Sequence, residues 1–332
     1  MIRPLAVASC AMLLAGAAAA SPLTDRYTSL WVLGDSLSDP GNVFDLTDGE
    51  RPASPPYFMG RFSNGFVFAD HLTQEFDAAG LPTGNVAYGG ARAVPNDEGP
   101  GADAIPDLPA QLDELEAASD GLLGERPLAH VLFGGNDIFA AAVSSDPEAA
   151  ATTAAEAVVG ALPALFDLGF RDFALGNVAD VGTTPLYNLF LPEVQPAAEV
   201  AVAAFNETLE AELAALDLPG TRTTLVDRFA FYEALQADPG RIGLTEVLLP
   251  CLFPSQEAAE AAGQPLYCGE DEADRRFFFD NVHPSGPVHA AYAEEVRETI
   301  LAAPIPLPGA GLLLLGGLGG LLMAGARRRA AA

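Results

Sequence analysis

A hydroxyl, an imidazole and a carboxylate are the minimum set for turning a serine into a nucleophile, and this chain offers them in two distant places. The apolar run Leu30-Trp31-Val32-Leu33 leads into Gly34-Asp35-Ser36-Leu37-Ser38-Asp39, so a strand ending in a glycine turn would lift Ser36 to the rim of a sheet. Far downstream, Phe277-Phe278-Phe279-Asp280-Asn281-Val282-His283-Pro284 supplies an acid and an imidazole three residues apart. A carboxylate at that spacing can orient one ring nitrogen while the other is free to take a proton from a hydroxyl. Taken alone, Gly-Asp-Ser-Leu is as readily a plain turn, because Gly, Asp and Ser are ordinary turn residues.

The choice of base is narrow, since the chain has four histidines. His130 lies inside an apolar run and reads as a satisfied core residue. His71 and His289 fall on helical patterns without an acid and serine of their own, and read as solvated or capping. A serine nucleophile also requires donors for the negative oxygen of its tetrahedral intermediate. Two segments suit that role: Asn85-Val86-Ala87-Tyr88-Gly89-Gly90-Ala91, where glycine permits close backbone approach, and Phe133-Gly134-Gly135-Asn136-Asp137, where an amide follows a strand end. A strand-ending turn and a helix cap are their structural alternatives.

These four segments, in this order, resemble the blocks of the SGNH or GDSL hydrolase family. The resemblance implies Ser36 as nucleophile, His283 as general base and acid, and Asp280 as the residue that orients it. It implies an oxyanion hole built from the Ser36 and Gly90 backbone N–H groups and the Asn136 side-chain amide, with Gly89 the alternative to Gly90. It further implies a flavodoxin-like three-layer α/β/α sandwich with a mainly parallel five-stranded sheet, and activity as an esterase or lipase on acyl esters without metal or organic cofactor. Arg61-Phe62-Ser63-Asn64-Gly65 resembles a segment of the family branch that contains plant lipases and secreted bacterial esterases, where its role is mainly structural. No Gly-x-Ser-x-Gly elbow of the α/β-hydrolase type is present.

The pattern along the chain agrees independently. Strand-length apolar runs recur at Leu30–Leu33, His130–Phe133, Phe173–Leu175 and Thr224–Val226, with a weaker one at Asn85–Tyr88. Segments with helical spacing, Phe66–Phe76, Glu148–Leu168 and Ala197–Leu216, lie between them. Such alternation predicts a parallel sheet covered on both faces, with ligands outside the carboxyl ends of its strands. Asp48–Gly60, Pro95–Pro109 and Pro250–Asp274 read as loops, the last held by a disulfide.

Composition excludes other chemistry. The chain has no lysine, which removes Walker phosphate loops, Schiff-base catalysis and a serine–lysine dyad. A formal charge of −29 would repel nucleic acid and anionic membranes, and reads as a solvated acidic surface.

Both ends read as addresses. Arg3, the apolar run to Ala17 and Ala18-Ala19-Ala20 have the form of a signal peptide, residues 1–20. Val7-Ala8-Ser9-Cys10 also resembles a lipoprotein box, but cleavage there would leave too short an apolar segment upstream. At the other end, Pro304-Ile305-Pro306-Leu307-Pro308, a Gly/Leu-rich stretch and Arg327-Arg328-Arg329 resemble VPLPA/PEP-CTERM sorting tails. That resemblance implies export, transient membrane retention through residues 304–332 and a sorting protease as partner, with a plain tail anchor as the alternative. The remaining 21–303 suits a single domain. In an oxidising compartment Cys251 and Cys268 would pair.

Overall fold

The computed structural model describes residues 22–95 and 105–303. The expected signal peptide and sorting tail, and part of the expected loop Pro95–Pro109, lie outside them.

Five strands form one sheet: β1 Ser29–Gly34, β2 Thr83–Asn85, β3 Pro127–Leu132, β4 Asp172–Gly176 and β5 Arg222–Val226. They run parallel in the order β2-β1-β3-β4-β5. Eleven α-helices are described: α1 Asn42–Leu46, α2 Phe68–Ala78, α3 Leu108–Ser119, α4 Gly135–Ala141, α5 Pro147–Gly160, α6 Leu162–Leu168, α7 Gln195–Ala215, α8 Arg228–Ala237, α9 Gln256–Ala261, α10 Glu270–Ala273 and α11 Gly286–Ala302. This is the doubly wound architecture the alternation predicts. The strand order reverses direction at β1, and the crevice at such a point collects ligands.

Strand alternation divides the core. Trp31 and Leu33 of β1, with Ala129, Val131, Phe173 and Leu175, face one apolar cluster shared with α5 and α7. Leu30, Val32, Leu128 and Ala174 face the other, closed by Phe68, Phe76, Tyr292 and Val296 of α2 and α11. Continuous burial along β1 and β3 is what a sheet covered on both faces requires.

Two expectations shift. The weak strand predicted at Asn85–Tyr88 is β2 at Thr83–Asn85. Beyond it, Val86 and Tyr88 still donate to Val32 O and Gly34 O of β1 at 2.9 and 3.1 Å. The Asn85 side chain, however, captures the Ala87 N–H at 3.0 Å and ends regular pairing. The segment Pro250–Asp274 is not uniform loop, since it carries α9 and α10. Its cysteines are joined, Cys251 to Cys268. The bridged segment backs the stretch carrying Asp280: Cys251 and Leu252 donate their N–H groups to Phe278 O and Phe279 O at 3.2 and 2.7 Å.

Closing a loop of sequence separation 17 by a covalent bond removes unfolded-state entropy. Replacing both cysteines by serine should lower stability by roughly 3 kcal/mol, read as a fall in thermal midpoint that reductant reproduces in the parent chain. An unchanged midpoint would show that the bridge contributes nothing to the fold.

Candidate active site

Ser36 stands two residues past the end of β1. That strand end is pinned by Gln111 of α3, which accepts from Gly34 N–H at 2.9 Å and donates back to Gly34 O at 2.8 Å. Asp35 Oδ1 then accepts the Leu37 N–H at 3.0 Å and Asp35 O accepts from Ser38 at 3.0 Å, which folds the chain into a tight turn with Ser36 at its corner. The Ser36 N–H has no hydrogen-bond partner among the described residues.

The opposing group comes from a short antiparallel excursion before α11. Phe277 and Phe279 are fully buried. Phe279 N–H donates to His283 O and Ser285 N–H to Phe277 O, both at 2.8 Å, so the chain doubles back on itself. Asp280 sits at the tip. Its Oδ1 accepts the N–H groups of Val282 and His283 at 2.9 and 2.7 Å, which closes the tip as an Asx turn. Its Oδ2 lies 2.7 Å from His283 Nδ1, and His283 Nε2 lies 2.8 Å from Ser36 Oγ. The three residues read from the sequence thus form one hydrogen-bonded chain, across a separation of 247 residues between serine and imidazole.

Electrostatics sharpen this arrangement. Burial pushes the Asp280 carboxyl up, but the charge and hydrogen bond of His283 and the donors Tyr57 and Val282 outweigh it and hold the acid below its usual range. Burial pushes His283 down, yet the charge and hydrogen bond of Asp280, with a further contribution from Asp35, raise it above the ordinary histidine value. An imidazole with one nitrogen fixed on a carboxylate and the other on a hydroxyl can accept the hydroxyl proton.

The two donor segments flank the serine. Asn136, in the first turn of α4, lines the same cleft as Ser36 and His283, and its amide donates to Ala91 O at 2.9 Å. Gly134, at φ 116°, turns the chain from β3 into α4, where a side chain would meet Phe205 at 2.6 Å. The double glycine is asymmetric. Gly89 N–H already donates to Asp39 Oδ2 at 2.8 Å, and a Cβ on Gly89 would strike the Phe62 ring at 2.0 Å. Gly90 has φ 92°, is exposed, and keeps its N–H without a partner among the described residues, although it does not line that cleft.

Several residues around the site carried no signal that the sequence reading used. Tyr57 donates its hydroxyl to Asp280 Oδ2 at 2.6 Å. The Phe62 ring lies 5.3 Å from the His283 ring, centroid to centroid. Asp39 accepts from Gly41, Asn42 and Val43 as well as Gly89 and so ties the nucleophile turn to the glycine turn. Asp137 accepts from Ala93 and Val94 at 3.0 and 3.1 Å, and its burial pushes it up to about 6. The Arg61–Gly65 segment has the structural role expected of it. Arg61 grips Asp70 with Nε at 3.2 Å and Nη2 at 2.9 Å, Ser63 Oγ donates to Pro284 O at 3.0 Å, and Asn64 Oδ1 accepts from Gly286 N–H at 2.9 Å.

The other histidines are elsewhere. His130 is core, as expected, but not satisfied: neither ring nitrogen has a partner among the described residues, and burial pushes it down to about 3. His289 caps rather than being solvated. It is fully buried, and its Nδ1 accepts the Phe68 N–H that opens α2, at 3.2 Å. His71 packs edge-on to Phe66 and lies outside the hydrogen-bonded chain.

The chain is similar to several known proteins. Thermolabile hemolysin of Vibrio parahaemolyticus is 27% identical over 282 residues, covering 83% of this chain, which spans only 64% of that protein's length. Phosphatidylcholine-sterol acyltransferase of Aeromonas hydrophila is 27% identical over 307 residues, covering 81% of this chain and 88% of that protein. An acetylesterase of Thermothelomyces thermophilus is 29% identical over 302 residues, with coverage of 85% and 92%. The model of the GDSL-like lipase/acylhydrolase family matches residues 30–296, a span that begins in β1 and ends in α11. The chain therefore belongs to the GDSL-like lipase/acylhydrolase family, as an ester-hydrolysing serine hydrolase.

Proposed function

We propose that this protein is an exported esterase that works through a Ser36–His283–Asp280 triad and an acyl-enzyme. One observation carries the reading: the unbroken hydrogen-bonded chain from a buried carboxylate to a hydroxyl that opens on a cleft. Ser36 Oγ attacks the ester carbonyl while His283 Nε2 takes its proton, and the carbonyl oxygen becomes an oxyanion. Collapse breaks the bond to the alcohol, which leaves with the proton from Nε2. Water, giving a proton to the same nitrogen, attacks the acyl carbon, and Ser36 departs with that proton as the acid is released.

The Ser36 N–H and the Asn136 amide supply donors to the oxyanion. Gly90 is preferred to Gly89 as the third, because the Gly89 N–H is committed to Asp39. The cleft wall is largely apolar, with Leu37, Phe139, Val181 and Phe278 beside Ser36, which suits an acyl or alkyl group. The acetylesterase relative favours a short acyl chain as the more specific reading, including acyl groups on extracellular polysaccharide. Export is supported by the bonded cysteine pair, since such bonds persist in oxidising compartments. On that reading residues 1–20 are a signal peptide and residues 304–332 a sorting tail.

Ser36→Ala should abolish turnover of chromogenic acyl esters from acetyl to palmitoyl and abolish labelling by a fluorophosphonate, while the parent chain does both. A parent chain that never labels would instead make this a surface-displayed binding protein. Asn136→Ala should lower kcat by roughly a hundredfold with little change in KM. An effect confined to KM would remove the amide from the oxyanion hole. For export, mass spectrometry of the protein from cells and medium should place the mature amino terminus at Ser21, and an intact Met1 in all fractions would contradict it.

A further inference from the structure

We infer that Tyr57 is a positioning residue for this reaction: its hydroxyl, donated to Asp280 Oδ2 at 2.6 Å, holds and electrostatically tunes the carboxylate that orients His283. The inference rests on the triad reading above and deepens it.

The two oxygens of Asp280 are used differently. Oδ1 is committed to the backbone N–H groups of Val282 and His283, which belong to the same turn. Oδ2 alone faces the imidazole, and it has one other donor, the Tyr57 hydroxyl, which arrives from a separate loop 223 residues away. Among the described residues the phenol is therefore the only hydrogen-bond donor to the imidazole-bearing oxygen from outside the Asp280–His283 turn. Its hydrogen bond to a charged acceptor is of the strong class.

The ring is held for that purpose. Tyr57 packs edge-on against Phe279, at 5.1 Å between centroids, and against Phe62 at 6.2 Å. Phe62 in turn lies on His283. Three aromatic rings, Tyr57, Phe62 and Phe279, thus pack together beside the acid–imidazole pair. Burial, together with the negative charge of Asp280, raises Tyr57 well above the usual phenol range, so it remains a proton donor wherever the enzyme works.

A second donor on Oδ2 draws charge away from the bond to His283. Without it, the imidazolium would be held more tightly, and catalysis, which requires neutral His283, would be lost at a higher pH. The other groups that act on His283 do not depend on Tyr57. Asp35 from the turn after β1 raises it, and His289 of α11 is itself kept neutral by burial at about 3. Arg228 of α8 acts on Asp35 and His289.

The test uses the full chain and a chromogenic short-chain ester. The parent should show an acid limb in kcat/KM above pH 6.5, since His283 is raised from that value. Tyr57→Phe, which keeps the ring, should lower kcat roughly tenfold at unchanged KM and move the limb upward by several tenths of a unit. Replacing Tyr57 with 3-fluorotyrosine, a stronger donor of the same shape, should move it downward. A limb that stays in place in both variants, or moves the same way in both, would overturn the inference, because a packing role alone leaves it where it was. Ser36→Ala run in parallel separates the two ideas: turnover there sinks the triad, whereas a silent Ser36→Ala beside an unaltered Tyr57→Phe sinks only Tyr57.

Discussion

The site depends on keeping one carboxylate ionised inside the protein. Asp280 is 4% exposed, and a buried carboxylate without partners would become protonated, leaving His283 with no anchor. Four donors prevent this: two backbone N–H groups, the imidazole and the Tyr57 phenol. Everything that makes Ser36 reactive is downstream of that arrangement, because a hydroxyl at 2.8 Å from an imidazole gains little unless the ring is held in one orientation and one tautomer. The fold brings the donors from two places, the Asp280–His283 turn and the loop before α2, and sets the turn after β1 with Ser36 against the far nitrogen of the ring.

Buried carboxylates with backbone N–H donors recur at the neighbouring strand ends, though there burial outweighs the donors and raises the acids. Asp39 and Asp137 are buried and accept backbone N–H groups from the segment 89–94, one from each side. Asn136 adds a bond to Ala91 O from the direction of α4. The segment that carries the candidate oxyanion donor Gly90 is therefore strapped to both β1 and β3 rather than left as a free loop. A preorganised donor costs nothing to reorient when charge develops on the substrate. Five aspartates depart from the solvated acidic surface: Asp35, Asp39, Asp70, Asp137 and Asp280 are all buried, and each is tied to backbone N–H groups.

How much of this was legible follows from the range of the interactions. Strand runs and helix spacing are local patterns, so four of the five strands and the helices at 66–76 and 197–216 could be placed to within a few residues, whereas the helical stretch 148–168 is two helices, α5 and α6, divided at Ala161. Ser36, Asp280 and His283 could be found because each sits in a short block with a chemical logic of its own. Tyr57 could not, since nothing adjacent to it announces an acid 223 positions away. Phe62 and Asp39 were hidden for the same reason. The Gly89 and Gly90 ambiguity was a question of register, and it turned on where one side chain from α1's entry, Asp39, directs its oxygen.

The four histidines show why environment, rather than residue type or burial, selects the base. His130 and His289 are as deeply enclosed as any residue in the protein, and burial drives both to about 3, so neither can hold a proton at neutral pH. His71, half-buried, is also lowered. His283 experiences the same desolvation, which is the largest single influence on it, yet ends above its ordinary value because a carboxylate meets its Nδ1 at 2.7 Å. Burial without that partner would make a third inert core histidine. The partner without burial would make a surface pair weakened by solvent screening. Only their combination gives an imidazole that is ordered, directed at a hydroxyl, and able to carry the proton between nucleophile and leaving group.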